Sequence, residues 1–259
     1  MKLSAAAPAG VTVLKHPGGQ LRLMPWQAST QVAYMASISD QRSVPREYIE
    51  QGVELLRGQG FLSVVTGAVA SHHEPSFFDA GFTEKERLIL LSLRLDGVTG
   101  GQFRPPIKTG AAVGRPTRVR GRHLDDVLRV DSRCFVPFWR LDTGGINEAL
   151  AATVRTRFRF YRHHEVLASY AISGFTGQNG FIQRLAVDPD AQNNGLGGGL
   201  MRDAMSWMYR RGVRNVYVNT QTANYDAIAL YRRLGFRRSI DHLTVLERDL
   251  TVAGREQWP

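Results

Sequence analysis

The chain has 259 residues, of which 43% are hydrophobic and 22% charged, a balance typical of a globular protein with a buried core. Its single cysteine, Cys134, excludes an intrachain disulfide and offers no metal-ligand spacing, so we expect a cytoplasmic protein without a metal centre. The net charge is +10, and 29 of the 33 basic residues are arginine, which favours acidic partners: nucleic acid, the ribosome or cofactor phosphates. No apolar run is long enough for a membrane span, and the Ala-rich N-terminus lacks the pattern of a signal peptide.

The first hundred residues contain short apolar segments between turn residues. Their patterns predict strands at 11–14, 61–69 and 87–95 and helices at 46–59 and 74–80.

Residues 98–116 differ from the rest of the chain, because Gly and Pro dominate and no apolar period remains. We interpret this segment as a linker. It separates an accessory N-terminal region at 1–97 from a second domain at 117–250, which a short tail at 251–259 follows.

Regular patterns return after the linker. They predict helices at 124–135 and 144–152, strands at 153–160, 166–175 and 181–187, a helix after residue 195, a strand at 213–220, a helix at 224–234 and a strand at 243–250. Asn179-Gly180 indicates a hairpin turn. Alternation in the strand 153–160 places three arginines on one face, which we interpret as a solvated basic stripe: Arg155, Arg157 and Arg159. Hairpin strands followed by alternating helices and strands predict a mixed α/β sheet.

The strongest motif joins a strand end to a helix start. The strand ends in Leu185-Ala186-Val187-Asp188-Pro189, and the loop Gln192-Asn193-Asn194-Gly195-Leu196-Gly197-Gly198-Gly199 follows. The first turn of a helix offers free N–H groups and a positive dipole, and glycines let a diphosphate approach the backbone. Three adjacent glycines are also compatible with a flexible turn alone. The G-x-G-x-x-G spacing of dinucleotide-binding folds is absent.

A second motif begins 27 residues beyond Gly197. Asn224 occupies a helix N-cap position, and an apolar face follows at helical spacing: Ala227, Leu230, Tyr231 and Leu234. Tyr231 suits either a core position or a functional one, and a buried tyrosine needs a hydrogen-bond partner.

Together these motifs resemble the acetyl-CoA core of the GCN5-related N-acetyltransferase (GNAT) family. Gln192-x-x-Gly195-x-Gly197 is similar to the family's (Arg/Gln)-x-x-Gly-x-(Gly/Ala) signature, and Asn224-x-x-Ala227-x-x-Leu230-Tyr231-x-x-x-Gly235-Phe236 is similar to its second block. Within the family the sequence looks closest to the ribosomal-protein-alanine N-acetyltransferases. The resemblance covers about 130 residues, from Thr117 to Leu250, and implies a mostly antiparallel central sheet flanked by helices.

The resemblance also implies roles for individual residues, with acetyl-CoA as cosubstrate and an amine as acceptor. Backbone groups of the Leu185-Ala186-Val187 segment would hold the pantetheine arm and the thioester carbonyl, and Asn224 would contact the pantetheine. Tyr231 would protonate the departing thiolate. The pyrophosphate would lie on backbone N–H groups of the loop: Gln192, Asn193, Asn194, Gly195, Leu196, Gly197 and Gly198.

Two features of the sequence concern the acceptor side. Many peptide-modifying family members carry a glutamate twelve residues before the tyrosine, but this chain has Asn219 there, which cannot act as a base. A water chain, another residue such as Asp188, or an amine that arrives neutral would replace it. The aromatic segment from Cys134 to Asp142 suits either a substrate slot or core packing.

The N-terminal region is interpreted as a shortened, degenerate copy of the same core. Its helix, strand and helix end in Ala80-Gly81-Phe82, as the later block ends in Leu234-Gly235-Phe236. Phe77 stands where Tyr231 would be, and no Gln-x-x-Gly-x-Gly precedes it. We expect this half to serve as a platform, to cover part of the substrate groove or to extend the sheet.

Three functional hypotheses follow. The leading one is an N-acetyltransferase that moves an acetyl group from acetyl-CoA to a primary amine of a protein N-terminus, a lysine or a small molecule. The alternatives are a non-catalytic CoA-binding module, in which Tyr231 only packs, and a basic RNA- or ribosome-associated protein.

Overall fold

A computed structural model describes residues 10–16, 19–39, 43–95 and 114–251. The linker predicted at 98–116 lies outside the described residues except for its last three, and the tail predicted at 251–259 lies outside them except for Thr251. The chain divides into two compact units, the first formed by residues 1–89 and 240–259 and the second by residues 90–239.

The first unit is a sheet with two helices. In chain order its elements are β1 (Thr12–His16), β2 (Gly19–Pro25), β3 (Val32–Ser39), α1 (Arg46–Gly58), β4 (Ser63–Ala70), α2 (Glu74–Asp79) and the start of β5 (Thr83–Arg94). The first three strands are antiparallel, and α1 is the crossover between the parallel strands β3 and β4. The last strand of the chain returns to this unit, where its residues 243–249 pair antiparallel with β4.

Alternating apolar residues form the core of the first unit. Leu21 and Leu23 of β2 contribute to it, and α1 adds Ile49, Val53 and Leu56, all at most 1% exposed. Of the strands β1, β2 and β3, only β1 corresponds to a strand predicted before residue 40. The alternation of Leu21 and Leu23 with the half-buried Arg22 is the signal for β2.

The second unit contains the remaining elements. They are β6 (Thr117–Arg118), α3 (Leu124–Cys134), α4 (Thr143–Ala151), β7 (Arg155–His163), β8 (Val166–Thr176), β9 (Asn179–Val187), α5 (Leu196–Tyr209), β10 (Asn215–Gln221), α6 (Tyr225–Arg233) and the start of β11 (Arg237–Asp249). The strands of this unit lie in the order β10-β9-β8-β7-β6. They are antiparallel except for β9 and β10, which are parallel and connected through α5.

The predicted hairpin between β8 and β9 is present, but its turn is not at Asn179-Gly180. The turn residues are Gly177, whose φ is +57°, and Gln178, while Asn179 pairs with Thr176 as the first residue of β9. Gly180 is needed for packing, because a Cβ there would lie 2.6 Å from the sulfur of Met208 on α5. The glycine therefore marks a close approach of helix and strand instead of a turn.

The basic stripe predicted on the strand 153–160 is not a solvated face throughout. Arg157 of β7 forms a bidentate ion pair with Asp203 of α5, at 2.7 and 2.8 Å, and both side chains are 19% exposed. Its guanidinium also lies 5.7 Å from the ring centre of Trp207. The opposite face of β7 contributes Phe158 and Phe160 to a core with α3, as the alternation predicts.

The element order of the two units is similar. The first unit, and the second unit from β7 onward, each have three antiparallel strands, a helix, a strand parallel to the third, a short helix and a further strand. The second unit begins with the additional elements β6, α3 and α4. The short helices end alike: Phe82 N–H donates to the Phe77 carbonyl and Phe236 N–H to the Tyr231 carbonyl, both at 3.0 Å. This is the Schellman ending, in which the intervening glycines Gly81 and Gly235 adopt positive φ.

None of the helices among the described residues is both long and apolar enough for a bilayer crossing.

Candidate active site

The parallel strands β9 and β10 separate halfway along their length. Their pairing runs from Asn179 with Asn215 to Ile182 with Val218, while β9 continues to Val187. At the point of separation β9 contains a bulge. Ile172 of β8 pairs with Arg184 and Ser173 pairs with Ile182, so that Gln183 is an extra residue without a partner on β8. Such a bulge bends a strand, and here it opens a gap between β9 and β10.

Backbone groups of β9 face this gap at Leu185 and Val187. Asp188 N–H donates to the Ala168 carbonyl at 2.8 Å, so these two residues form a hydrogen-bonded pair. Hydrogen-bonded and non-hydrogen-bonded pairs alternate along an antiparallel ladder, so the next hydrogen-bonded pair lies two residues away. Ala186 therefore exchanges its hydrogen bonds with Tyr170, whereas the N–H and C=O groups of Leu185 and Val187 point away from β8. Ala186, which was grouped with them, has a 3% exposed side chain in the core beside α3.

The loop between β9 and α5 presents the second group of predicted residues. Asn193 and Gly195 have φ of +63° and +75°, so the backbone turns sharply twice before the helix begins. The amide of Asn194 donates to the carbonyls of Ala191 and Gln192, and the Gln192 amide donates to the Val187 carbonyl. Side chains of the loop thus hold its shape while its backbone stays exposed from Gln192 to Gly195.

The N-terminus of α5 is open. Its first helical hydrogen bond is from Gly199 N–H to the Gly195 carbonyl, and no side chain caps the helix, so the N–H groups of Leu196, Gly197 and Gly198 have no helical acceptor. A Cβ at Gly195 would have no atom within 4 Å, which leaves space for a ligand. These N–H groups and the helix dipole favour an anion such as a diphosphate.

The glycines that follow serve packing as well. A Cβ at Gly197 would lie 3.3 Å from Val187 and 3.4 Å from Leu230, and one at Gly199 would lie 2.9 Å from the Tyr161 ring. Leu196 is 5% exposed and belongs to the core between α5 and the sheet, so only its backbone is available to a ligand.

The helix α6 places the two remaining predicted residues. Asn224 is its N-cap, and the side-chain oxygen accepts from Ala227 N–H at 3.3 Å, which leaves the amide nitrogen as a donor. Tyr231 is 5% exposed, and its ring centre lies 6.0 Å from that of Phe236. Burial raises the pKa of Tyr231 to about 12, so the hydroxyl keeps its proton at neutral pH and can act as an acid.

The one acidic residue named as an alternative to Asn219 is not supported as a base by its contacts. Asn219 is an exposed residue of β10. Asp188 is 7% exposed and holds Arg133 at 3.0 Å and Arg129 at 3.5 Å, both from α3, and also accepts from Asp190 N–H. Asp188 therefore joins α3 to the loop, and its oxygens already accept from two arginines and a backbone N–H, which is a poor arrangement for binding an acceptor amine.

A buried polar network that the sequence patterns did not predict joins α3 to β8 and β9. Asp131 of α3 is fully buried, accepts from the Tyr170 hydroxyl and the Leu141 N–H, and receives two hydrogen bonds from Arg184, at 2.8 and 3.0 Å. Arg184 also donates to the Trp139 carbonyl at 2.6 Å and lies 3.4 Å from the ring centre of Phe135. The sequence signal for this network was Arg184, a charged residue directly before the apolar end of β9, Leu185-Ala186-Val187.

This network orders the aromatic segment that follows α3. The rings of Phe138 and Trp139 are half-buried and meet edge to face at 5.0 Å, and Val136 is 62% exposed. Cys134 donates to the Val187 carbonyl at 3.2 Å, and burial, assisted by Asp188, raises the pKa of its thiol to about 11. The cysteine therefore stays a neutral packing residue. The segment offers partly exposed apolar surface beside β9.

Comparison with known families gives a match to the second unit. The model of the acetyltransferase (GNAT) family matches residues 110–236, which contain both motifs and the gap between β9 and β10.

Two curated relatives have names that describe acetyl transfer. The [ribosomal protein bS18]-alanine N-acetyltransferase of Escherichia coli (strain K12) is 34% identical over 73 residues, 28% of this chain and 49% of that protein. A mycothiol acetyltransferase of Amycolatopsis mediterranei (strain U-32) is 27% identical over 174 residues, 61% of this chain and 56% of that protein. The chain thus spans about half the length of these relatives.

A solved structure shares the fold over nearly the whole chain. A tandem GNAT protein from the clavulanic acid biosynthesis pathway superimposes with a TM-score of 0.67 at 16% identity, covering 95% of this chain and 86% of its own. At this identity the likeness concerns the fold alone, a mixed α/β sheet with flanking helices.

Proposed function

Because residues 110–236 form a domain of the GNAT acetyltransferase family, we propose that this protein transfers an acetyl group from acetyl-CoA to a primary amine. The observation that carries the proposal is the gap between β9 and β10, where backbone groups of β9 point away from β8, together with the open N-terminus of α5 and the buried Tyr231 of α6. These three features match the three parts of acetyl-CoA that need recognition: the pantetheine arm, the diphosphate and the sulfur.

The residues fit the cosubstrate as follows. Leu185 and Val187 would bind the pantetheine amides through the backbone groups that point away from β8, as an additional strand would. The N–H groups from Leu196 to Gly198 would bind the diphosphate. Asn224 would use its amide nitrogen, since its oxygen already caps α6.

The chemistry is a direct transfer in which the amine nitrogen bonds to the thioester carbon and the carbon–sulfur bond breaks. Backbone N–H groups of β9 would stabilise the negative charge that develops on the carbonyl oxygen. Tyr231 would donate its proton to the leaving sulfur and regain one from solvent. The amine would lose its own proton to water, because Asn219 is no base and Asp188 is held by arginines.

The first unit would support this site without catalysing. Phe77 is fully buried at the position equivalent to Tyr231, and α1 begins after Pro45 instead of a glycine loop. We therefore interpret residues 1–97 as a degenerate GNAT-like half, in keeping with the repeated element order. The predicted division into 1–97, 98–116, 117–250 and 251–259 is part of this proposal.

The acceptor is proposed only by class, as a primary amine. One relative is named for a ribosomal protein alanine and the other for mycothiol, so a peptide N-terminus and an amine of a small thiol are the first two to test. The net charge of +10 favours an acceptor that is carried on an acidic partner.

Thermal unfolding with acetyl-CoA, CoA and NAD, followed by thiol release with a panel of amines, tests the proposal. A ligand at 100 times its Kd stabilises by about 2.7 kcal/mol, which raises Tm by several degrees. We expect a rise with both CoA species and none with NAD, and thiol release with at least one amine. Binding without turnover on any amine would favour a sensing module, and no rise with acetyl-CoA would remove the proposal.

A further inference from the structure

Three arginines on the α5 side of β7 have no acidic partner. Arg118 of β6 and Arg159 of β7 are direct cross-strand partners, so their side chains emerge side by side on one face. Arg157, two residues before Arg159, emerges on the same face, and Arg202 of α5 neighbours Tyr161 farther along β7. Among the described residues, neither an ion pair nor a hydrogen bond involves the side chains of Arg118, Arg159 or Arg202.

The carboxylate of Asp203, which interacts with Arg159, is already paired with Arg157. Both oxygens of Asp203 accept from Arg157, at 2.7 and 2.8 Å. Like charges directly opposite each other destabilise a pair of strands, so the Arg118–Arg159 pair is unfavourable without a counter-charge. The pKa of Arg159 is lowered, mostly by burial. The positive charges of Arg157 and Arg118 lower it further, and the carboxylate of Asp203 opposes them.

Two of the guanidinium groups are partly withdrawn from water. The Nε atoms of Arg159 and Arg202 are buried and have no hydrogen-bond partner among the described residues. The Arg202 guanidinium lies over Gly198, 3.2 Å from where a Cβ would stand, so any larger residue there would displace it. The Tyr161 hydroxyl adds a donor on the same face, because burial raises its pKa to about 12.

We propose that Arg118, Arg159 and Arg202, with Tyr161, form a binding site for a phosphate-class anion on the β7 side of α5. Guanidinium groups pair with phosphate oxygens through two parallel hydrogen bonds, and each such bond to a charged group is stronger than a neutral one. The anion supplies the counter-charge that the cross-strand arginines lack. Its source is either free phosphate or pyrophosphate or the 3′-phosphate of CoA.

Thermal unfolding with pyrophosphate tests the site in the full chain. Sodium pyrophosphate is titrated with dephospho-CoA saturating, so that the N-terminus of α5 is occupied and no 3′-phosphate competes. Sodium chloride keeps the ionic strength constant, because salt alone would screen the arginines. We expect the Tm of the natural sequence to rise by several degrees. Arg159→Gln and Arg202→Gln should lose this rise, and Arg211→Gln, which removes an exposed charge from the end of α5, should keep it.

A second measurement distinguishes misfolding from loss of the site. Without pyrophosphate, Arg159→Gln should have a Tm equal to or above that of the natural sequence, because the substitution removes the like-charge pair. A rise that is the same in Arg159→Gln, or no rise in the natural sequence with either CoA or dephospho-CoA present, would overturn the proposal.

Dephospho-CoA distinguishes the two sources. If free anions are bound, pyrophosphate raises Tm equally with CoA or dephospho-CoA present. If the site takes the 3′-phosphate, the rise is absent with CoA and present with dephospho-CoA, and Arg159→Gln removes it. The free-anion outcome depends on the arginines alone, whereas the 3′-phosphate outcome rests on the proposed binding of CoA, which the Tm rise with CoA alone tests separately.

Discussion

Tyr231 is buried, and the proposed reaction needs it as the acid that protonates the leaving sulfur. Removing only its hydroxyl should lower kcat by about 100-fold or more, within the usual contribution of a general acid. The Kd of acetyl-CoA should change less than about twofold. Thiol release and calorimetry measure the two quantities for Tyr231→Phe, with Tyr209→Phe at the end of α5 as control. A kcat within about threefold of the natural value would assign Tyr231 to packing.

The raised pKa of Tyr231 also predicts how its contribution to stability depends on pH. Because the folded-state pKa, about 12, exceeds the ordinary value of 10.0, this contribution is complete below pH 10 and is lost as pH rises toward 12. The full difference corresponds to about 2.7 kcal/mol. Urea unfolding at pH 8 and pH 11.5 should therefore show a smaller alkaline loss in the free energy of unfolding for Tyr231→Phe than for the natural sequence. Equal losses would contradict the prediction.

At this scale the sequence located the residues whose roles depend on local spacing. Asn224 was recognised as an N-cap because a cap is read from three or four consecutive positions, and the structure confirms it. Asp131 and Arg184 were not recognised, because a pair 53 residues apart leaves no local pattern. The ion pair of Arg157 and Asp203 was not recognised for the same reason, since the two residues are 46 positions apart. Because of this pair, Arg157 contacts α5 instead of belonging to a solvated stripe.

At the scale of elements, the geometry of α5 depends on a left-handed residue at its start. Gly195 has a φ of +75° and open space around it, so Ala would fit sterically but would strain the backbone by about 1–2 kcal/mol. Gly195→Ala should lower the free energy of unfolding by about that amount and also weaken acetyl-CoA binding, because the loop would rotate the first N–H groups. Gly212→Ala is the matched control, since Gly212 has a φ of +77° and equally open space at the other end of α5. It should cost the same stability and leave the Kd of acetyl-CoA unchanged.

The helix α3 depends on the buried carboxylate that joins it to β8 and β9. Tyr170→Phe removes one of the hydrogen bonds to Asp131 and should cost about 1–2 kcal/mol in urea unfolding. Asp131→Ala leaves Arg184 without its charge partner, at 12% side-chain exposure, and should cost about 3–5 kcal/mol. If the two variants are equally stable, Arg184 has found another partner and the network does not order the segment after α3.

Elements were predicted from sequence where an apolar period was long and unbroken. The bounds of α1 and α3 agree with their predictions within one residue. β5 and β11 are each longer than predicted, since their first residues are polar and gain their strand structure from pairing. The separation of β9 and β10 has no local sequence signal, because it follows from an extra residue in the register with β8.

For the whole molecule, the division into units predicts that the halves cannot be separated by truncation. The first unit includes residues 240–259, and the second includes residues 90–94 of β5. A fragment that begins at Gly114 should therefore be insoluble or melt well below the full chain. Coexpression of residues 1–95 with 114–259 should restore a soluble complex, which gel filtration would detect. A fragment 114–259 with the Tm of the full chain would contradict the prediction.

The pairing of β4 with the last strand also sets the time at which the first unit can complete its fold in the cell. Val65 and Glu247 are direct partners, 182 residues apart in the chain. At roughly 5–20 residues per second, β4 leaves the ribosome about 9–36 s before its neighbour is made. During that interval β4, with its buried residues Val64, Val65 and Val69, presents an unpaired apolar edge. The N-terminal half, although synthesised first, thus reaches its native sheet only when translation is nearly finished, and it depends on chaperones or on rapid synthesis until then.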